Sequence, residues 1–167
     1  MHLIFTVAAA MALATLSPAA AQNADWQAFQ PPGGGFRIEM PGKPQIKSEE
    51  RNGRKVDTAL VAIDKAVAGS DLVFMVKYQP QSEAPGPEAA GILDNVVKAM
   101  SEGNTTISSV ADDIGGFPAR AFVTQDKDKD FYSVRVVMTD RYFVTVMFLG
   151  PPDNQLGKRF LDSFSVK

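Results

Sequence analysis

Phe131–Gly150, FYSVRVVMTDRYFVTVMFLG, is the stretch whose reading decides the fold. It holds two apolar runs, Phe131–Thr139 and Tyr142–Leu149, separated by Asp140 and Arg141. In the first run Tyr132, Val134, Val136 and Met138 alternate with Phe131, Ser133, Arg135 and Val137, which gives one wholly apolar face. The second run is apolar on both faces. β-Branched and aromatic enrichment at this length specifies strands rather than a helix. A strand apolar on both sides belongs in the middle of a sheet with cover above and below. The pair is therefore expected to form a central antiparallel hairpin. Its link lacks the Asn-Gly of a tight two-residue turn, which leaves the register open by about two residues.

Upstream of this hairpin, Asp25–Gln30 reads as a short opening strand, stopped by Pro31-Pro32-Gly33-Gly34-Gly35. Phe36, Ile38 and Met40 then alternate with Arg37 and Glu39 in a half-buried strand that Pro41-Gly42 ends. Lys43–Glu50 is polar and extended. Asn52-Gly53 is the strongest turn signal in the chain, because both residues accept the positive φ of a two-residue hairpin loop. Val56–Asp64 and Leu72–Gln79 follow as strands joined through Gly69-Ser70-Asp71. After the proline-rich Gln79–Pro87, the residues Ala89, Leu93, Val96, Val97 and Met100 recur at helical spacing, with Ile92 widening the stripe. This predicts a helix over 87–102, with Asp94 and Lys98 one turn apart on its outer side. Thr106–Ile114 and Ala119–Gln125 read as a second hairpin across Gly115–Pro118. A closing helix places Leu156, Phe160 and Phe164 on one face, capped by Asp153 or Asn154. The expected class is α+β: an antiparallel sheet of two meanders covered by two helices.

The chain has 167 residues, a formal net charge of −2 and no cysteine, which suits one domain held together by core burial alone. Its mildly acidic balance provides no broad basic field, so nucleic acid is not an expected partner. Leu3–Leu16 is a continuous apolar run followed by Ser17-Pro18 and three small alanines, the layout of a cleavable export signal. Residues 1–21 are expected to be removed after Ala21, leaving a domain of residues 22–167 in the periplasm or outside the cell, with no membrane span. The single histidine, His2, would leave with the leader.

That loss excludes most hydrolytic and metal chemistry by composition. Without imidazole or thiol there is no Ser-His-Asp or Cys-His nucleophilic system and no zinc or iron ligand set. No serine is followed three residues later by lysine. Gly33–Gly35 does not open a helix after a strand and so makes no phosphate loop. No cofactor is expected. Asp126, Asp128 and Asp130 space oxygen ligands as a calcium loop does. Phe131, however, stands where such a loop needs glycine, Val137 stands where it needs glutamate, and Lys127 and Lys129 oppose the charge. Lys43, Lys47, Arg51, Arg54 and Lys55 form the one basic concentration, a candidate surface for an anionic partner, interrupted by Glu49 and Glu50. Asp112-Asp113 would point to opposite faces of a strand and therefore does not read as a catalytic pair. Arg120 and Arg135, in otherwise apolar strands, must reach a carboxylate, solvent or a ligand. Trp26 and the methionines at 40, 75, 100, 138 and 147 read as core or semi-core.

Several short pieces together resemble one family: Phe36–Pro44 (FRIEMPGKP), Gly116–Arg120 (GFPAR), Tyr132–Arg135 (YSVR), Arg141-Tyr142 and Phe160–Phe164 (FLDSF). They are similar to small exported bacterial proteins of the PsbP-like family, whose fold is shared with a Ran-binding nuclear import cofactor. The resemblance implies an α/β/α sandwich and non-catalytic binding roles, and transfers no site residue. The expected function is an exported, non-enzymatic module that binds a protein or assembly partner in the cell envelope. The alternatives are a carrier of a small apolar ligand or lipid, in a pocket between the sheet and helix 87–102, and a carboxylate-dependent enzyme.

Overall fold

A computed structural model describes residues 25–64 and 70–167. The expected leader, and Gly69 of the predicted turn before Leu72, lie outside these residues. The strands are β1 (Trp26–Phe29), β2 (Phe36–Pro41), β3 (Gln45–Arg51), β4 (Arg54–Ile63) and β5 (Leu72–Pro80). Helix α1 (Ala89–Met100) precedes β6 (Thr105–Ile114), β7 (Phe117–Gln125), β8 (Phe131–Met138) and β9 (Tyr142–Leu149). Helix α2 (Gln155–Asp162) and a short β10 (Ser165–Val166) close the chain. The class is α+β, dominated by antiparallel strands.

Seven strands form one antiparallel sheet in the order β3-β4-β5-β9-β8-β7-β6, so β9, the run apolar on both faces, is its fourth and central strand. β8 pairs with β9 from Tyr132↔Leu149 to Met138↔Phe143. In place of Asn-Gly, the buried Thr139 organises the link. Its hydroxyl accepts the Tyr142 and Arg141 N–H groups at 2.9 and 3.2 Å and donates to the Tyr142 carbonyl at 3.1 Å. A threonine side chain thus satisfies the loop's backbone locally and fixes the register.

Each side of the sheet carries its own core. On one side Leu72, Phe74, Val76 and Tyr78 of β5 and Val144, Val146 and Phe148 of β9 pack against Phe36, Ile38 and Met40 of β2 and against Phe160 and Phe164. A second, three-stranded sheet, β1-β2-β10, forms this cover together with α2. Phe36 is a hub, within 5.4–6.3 Å (ring centroids) of Phe29, Tyr78, Tyr142 and Phe164. On the other side Val134, Val136 and Met138 of β8 and Phe122 of β7 pack under Ala89 and Leu93 of α1. The alternation of β8 is thereby explained: its even-numbered residues face α1.

Four expectations are corrected. The β6–β7 turn is only Gly115-Gly116, both at positive φ (65° and 85°), so Phe117 and Pro118 already belong to β7. Ile92 is 40% exposed and widens no buried stripe, because α1 rests on one narrow ridge of β7 and β8. Helix α1 is shorter than 87–102, with Glu88 at its N-cap and Ser101 at its C-cap. The chain does not end in helix: Ser163 caps α2, and Phe164 enters the core from the extended segment that becomes β10, paired with Arg37 and Phe36 of β2. The Asn52-Gly53 turn and the Asn154 cap are as expected, while β5 runs on to Pro80, into the loop predicted from Gln79. Asn52 and Gly53 turn at φ 51° and 72° between β3 and β4, and the Asn154 side chain accepts the Leu156 and Gly157 N–H groups.

Candidate interaction surface

The two strand arginines are structural clamps, one on each side of the sheet. Arg120 donates through Nε to Asp94 at 2.7 Å, and through its other nitrogens to the Ala119 and Ala90 carbonyls. Asp94 therefore answers the sheet, not Lys98, and the Arg120 hydrogen bond holds its carboxyl below the usual range. Arg135 donates to the Leu161 carbonyl at 2.6 Å and to Asp162 at 2.9 Å, which ties the C-terminal turn of α2 to β8. Burial opposes ionisation of Asp162, but Lys158 and Arg135 outweigh it and depress its pKa.

The Asp126–Asp130 loop uses its first carboxylate internally. Asp126 Oδ1 accepts the N–H groups of Asp128 and Asp130 at 2.9 and 3.0 Å, and Oδ2 accepts the Tyr132 hydroxyl at 3.1 Å. Burial disfavours the ionised form, yet these hydrogen bonds prevail and lower the Asp126 pKa. Among the described residues no group of three His, Cys, Asp or Glu side chains is placed to hold a metal ion. Asp112 and Asp113 likewise serve the adjacent turn: Asp112 Oδ1 accepts the Asp113 N–H, and Asp113 Oδ1 accepts the Gly116 N–H, both at 2.9 Å.

The basic residues Lys43, Lys47, Arg51, Arg54 and Lys55 lie on and before the β3–β4 hairpin but do not make one cationic face. Lys47 and Arg51 share a face of β3 with Glu49, which pairs with Arg51 at 2.7 Å and lies 3.7 Å from Lys77 of β5. Lys55 projects on the opposite face, 3.0 Å from Asp57. Burial, then the nearby Arg51, lowers the Lys77 pKa against the pull of Glu49.

The backbone of Pro32–Gly35 meets Arg141 and Tyr142, at the start of β9. It lies against the central hairpin, where Arg141 donates to the Gly33 carbonyl at 3.0 Å and the Tyr142 hydroxyl to the Pro32 carbonyl at 3.3 Å. A Cβ on Gly35 would stand 2.9 Å from the Tyr142 ring, so the backbone must approach this closely without a side chain. Trp26 is half-buried, edge-on to Phe74 at 6.4 Å, with the Arg159 guanidinium 4.2 Å from its ring centroid.

The feature that sequence reasoning missed is the β6 edge. Thr105–Ala111 contains no charged residue, and every residue of β6 but Ile114 is exposed. Ile107 and Val110 expose 55% and 58% of their surface. Neither helix buries this strand, which stays exposed from Thr105 to Asp113. Beside it an open groove of about 410 Å³ runs between α2 and the β6–β8 side of the sheet, lined by Val110, Ala121, Val123, Ser133, Arg135 and Leu161 among others. The sequence shows the lack of charge over Thr105–Ala111, but not that this strand is an edge, which only its place in the sheet decides. The opposite edge, β3, carries Lys47, Glu49, Glu50 and Arg51. Comparison with protein-family models and with curated proteins finds no match to this chain. Among the described residues no helix is long and apolar enough to cross a membrane.

Proposed function

We propose that this chain is an exported, non-enzymatic binding module of the PsbP-like sandwich type, its sheet built of two meanders, which takes an extended segment of a protein partner in the cell envelope along β6. The observation that carries this reading is the open outer edge of β6, uncharged over Thr105–Ala111, with Ile107 and Val110 presented to solvent. An unpaired edge offers a row of backbone donors and acceptors to an added strand, and the flanking apolar side chains supply contact area. The β3–β4 hairpin is the less favoured surface, because its cations alternate with Glu49, Glu50 and Asp57. A carrier would need space beneath α1. Leu93 there is fully buried in a cluster with Val134, Val136 and Phe122, and this packing favours the partner module.

The test is capture from the envelope fraction with tagged full-length chain, run in parallel with Val110→Lys and Ile46→Lys. A partner held by the parent and by Ile46→Lys, but released by Val110→Lys, supports the reading. Equal recovery by all three chains overturns it.

A further inference from the structure

We infer that the occupant of the β6 edge is a second copy of this chain, paired antiparallel about a two-fold axis at Val110. This rests on the reading of β6 as the binding edge and names its partner. The β6–β7 hairpin closes on Ile114↔Phe117 around a two-residue loop, so Ile114, Asp112, Val110 and Ser108 direct their backbone groups to β7. Ser109, Ala111 and Asp113 then direct theirs outward. The Asp113 N–H agrees with this alternation: it is bonded to the neighbouring Asp112 side chain and not to β7.

Any residue-centred axis fits that alternation, and those nearest the exposed valine are at Ala111, Ser109 and Val110. An axis at Ala111 sets Val110 against a carboxylate and requires the Asp113 N–H, which is already engaged. An axis at Ser109 draws on the irregular step between Thr106 and Ser108, where the ladder shifts. An axis at Val110 keeps both faults out of its central pairs and meets them only at the outer pair, Asp113 against Ile107. Ser109 and Ala111 of each copy then exchange backbone hydrogen bonds with Ala111 and Ser109 of the other. Val110 meets its own symmetry mate in a close non-hydrogen-bonded pair, which covers the most exposed large apolar side chain among the described residues. Asp112 falls opposite the Ser108 hydroxyl, and the Asp112-Asp113 pairs of the two copies lie at opposite ends of the contact, so no like charges face each other.

Because the chain has no cysteine, Val110→Cys is a single-thiol protein, and a close non-hydrogen-bonded pair has the Cα spacing a disulfide needs. Under mild copper–phenanthroline oxidation, Val110→Cys is expected to form linked dimer several-fold faster than Ile46→Cys on the opposite edge. In sedimentation the parent's mass should approach twice the monomer value as concentration rises toward about 1 mM, a range that registers weak contacts. Val110→Lys, with its circular dichroism unchanged, should stay monomeric there. A parent chain that is monomeric throughout, with Val110→Cys linking no faster than Ile46→Cys, overturns the dimer. If Val110-dependent capture of another protein persists in that case, the β6 reading stands without it; if capture is lost as well, both fall.

Discussion

At the scale of single residues, two glycines in the helices have opposite reasons to be there. Gly157, in the first turn of α2, lies directly on the Phe148 ring, and an added Cβ would collide with it. Gly91, in α1, faces open space at an ordinary backbone angle. Gly157→Ala is therefore expected to destabilise by about 1–3 kcal/mol through overpacking. Gly91→Ala should stabilise by about 0.5–1 kcal/mol, because helix formation then orders a less flexible backbone. Urea unfolding of the two variants checks both signs. Arg135 gives a second residue-level contrast. Arg135→Ala removes the partner of the Leu161 carbonyl as well as that of Asp162 and should cost about 1–2 kcal/mol. Asp162→Ala removes only the solvent-accessible ion pairs to Arg135 and Lys158 and should cost less than about 1 kcal/mol. Equal losses would show that the carbonyl bond contributes no more than the exposed Lys158–Asp162 pair.

At the scale of elements, α1 and α2 are held in different ways. Helix α2 joins the larger core through Phe160 and is bracketed by an Asn154 cap and the Arg159–Glu39 ion pair. Helix α1 lacks a side-chain N-cap bond and commits only Ala89 and Leu93 fully to the interior. Leu93→Ala should therefore cost about 2–5 kcal/mol and loosen α1 before the sheet. Hydrogen exchange is expected to show early loss of protection over 89–100 while β8 and β9 stay protected. Simultaneous loss throughout would mean that α1 is not a separable unit. The stripe Ala89, Leu93, Val97 and Met100 made this helix legible in the chain. The exposure of Ile92 was not, because it depends on how little of the sheet α1 covers.

At the scale of the whole molecule, titrating groups set the limits of stability. Asp94, Asp126 and Asp162 are all shifted below their ordinary 3.8, so the folded state binds fewer protons than the unfolded state in acid. Their stabilisation is complete above that value and is lost as pH falls below it. Tyr78 and Tyr132 move the other way, from 10.0 to about 12, through burial first and then nearby carboxylates, Asp57 beside Tyr78 and the hydrogen-bonded Asp126 beside Tyr132. Between pH 10 and 12 the unfolded chain ionises these tyrosines while the folded chain does not, so stability falls as pH rises through that window. Thermal melts across pH should show a plateau that declines below about pH 4 and above about pH 10. Tyr132→Phe should soften the alkaline decline, and an unchanged alkaline limb in that variant would rule out the role given to Tyr132.

What the amino-acid order determined by itself was local and periodic: which segments are strands, that Tyr142–Leu149 is the central one, where Asn52-Gly53 turns, and that the class is α+β. Alternation, β-branching and turn chemistry act over a few residues and need no knowledge of neighbours. Only the tertiary structure decided the return of Ser165–Val166 to β2, the consumption of Asp126 by its own loop, the division of the basic residues between two faces, and the exposure of β6. Each of these depends on which elements meet across long sequence separations. A strand's own residues do not state whether its outer edge will be covered; the reach of the helices packed elsewhere on the sheet does.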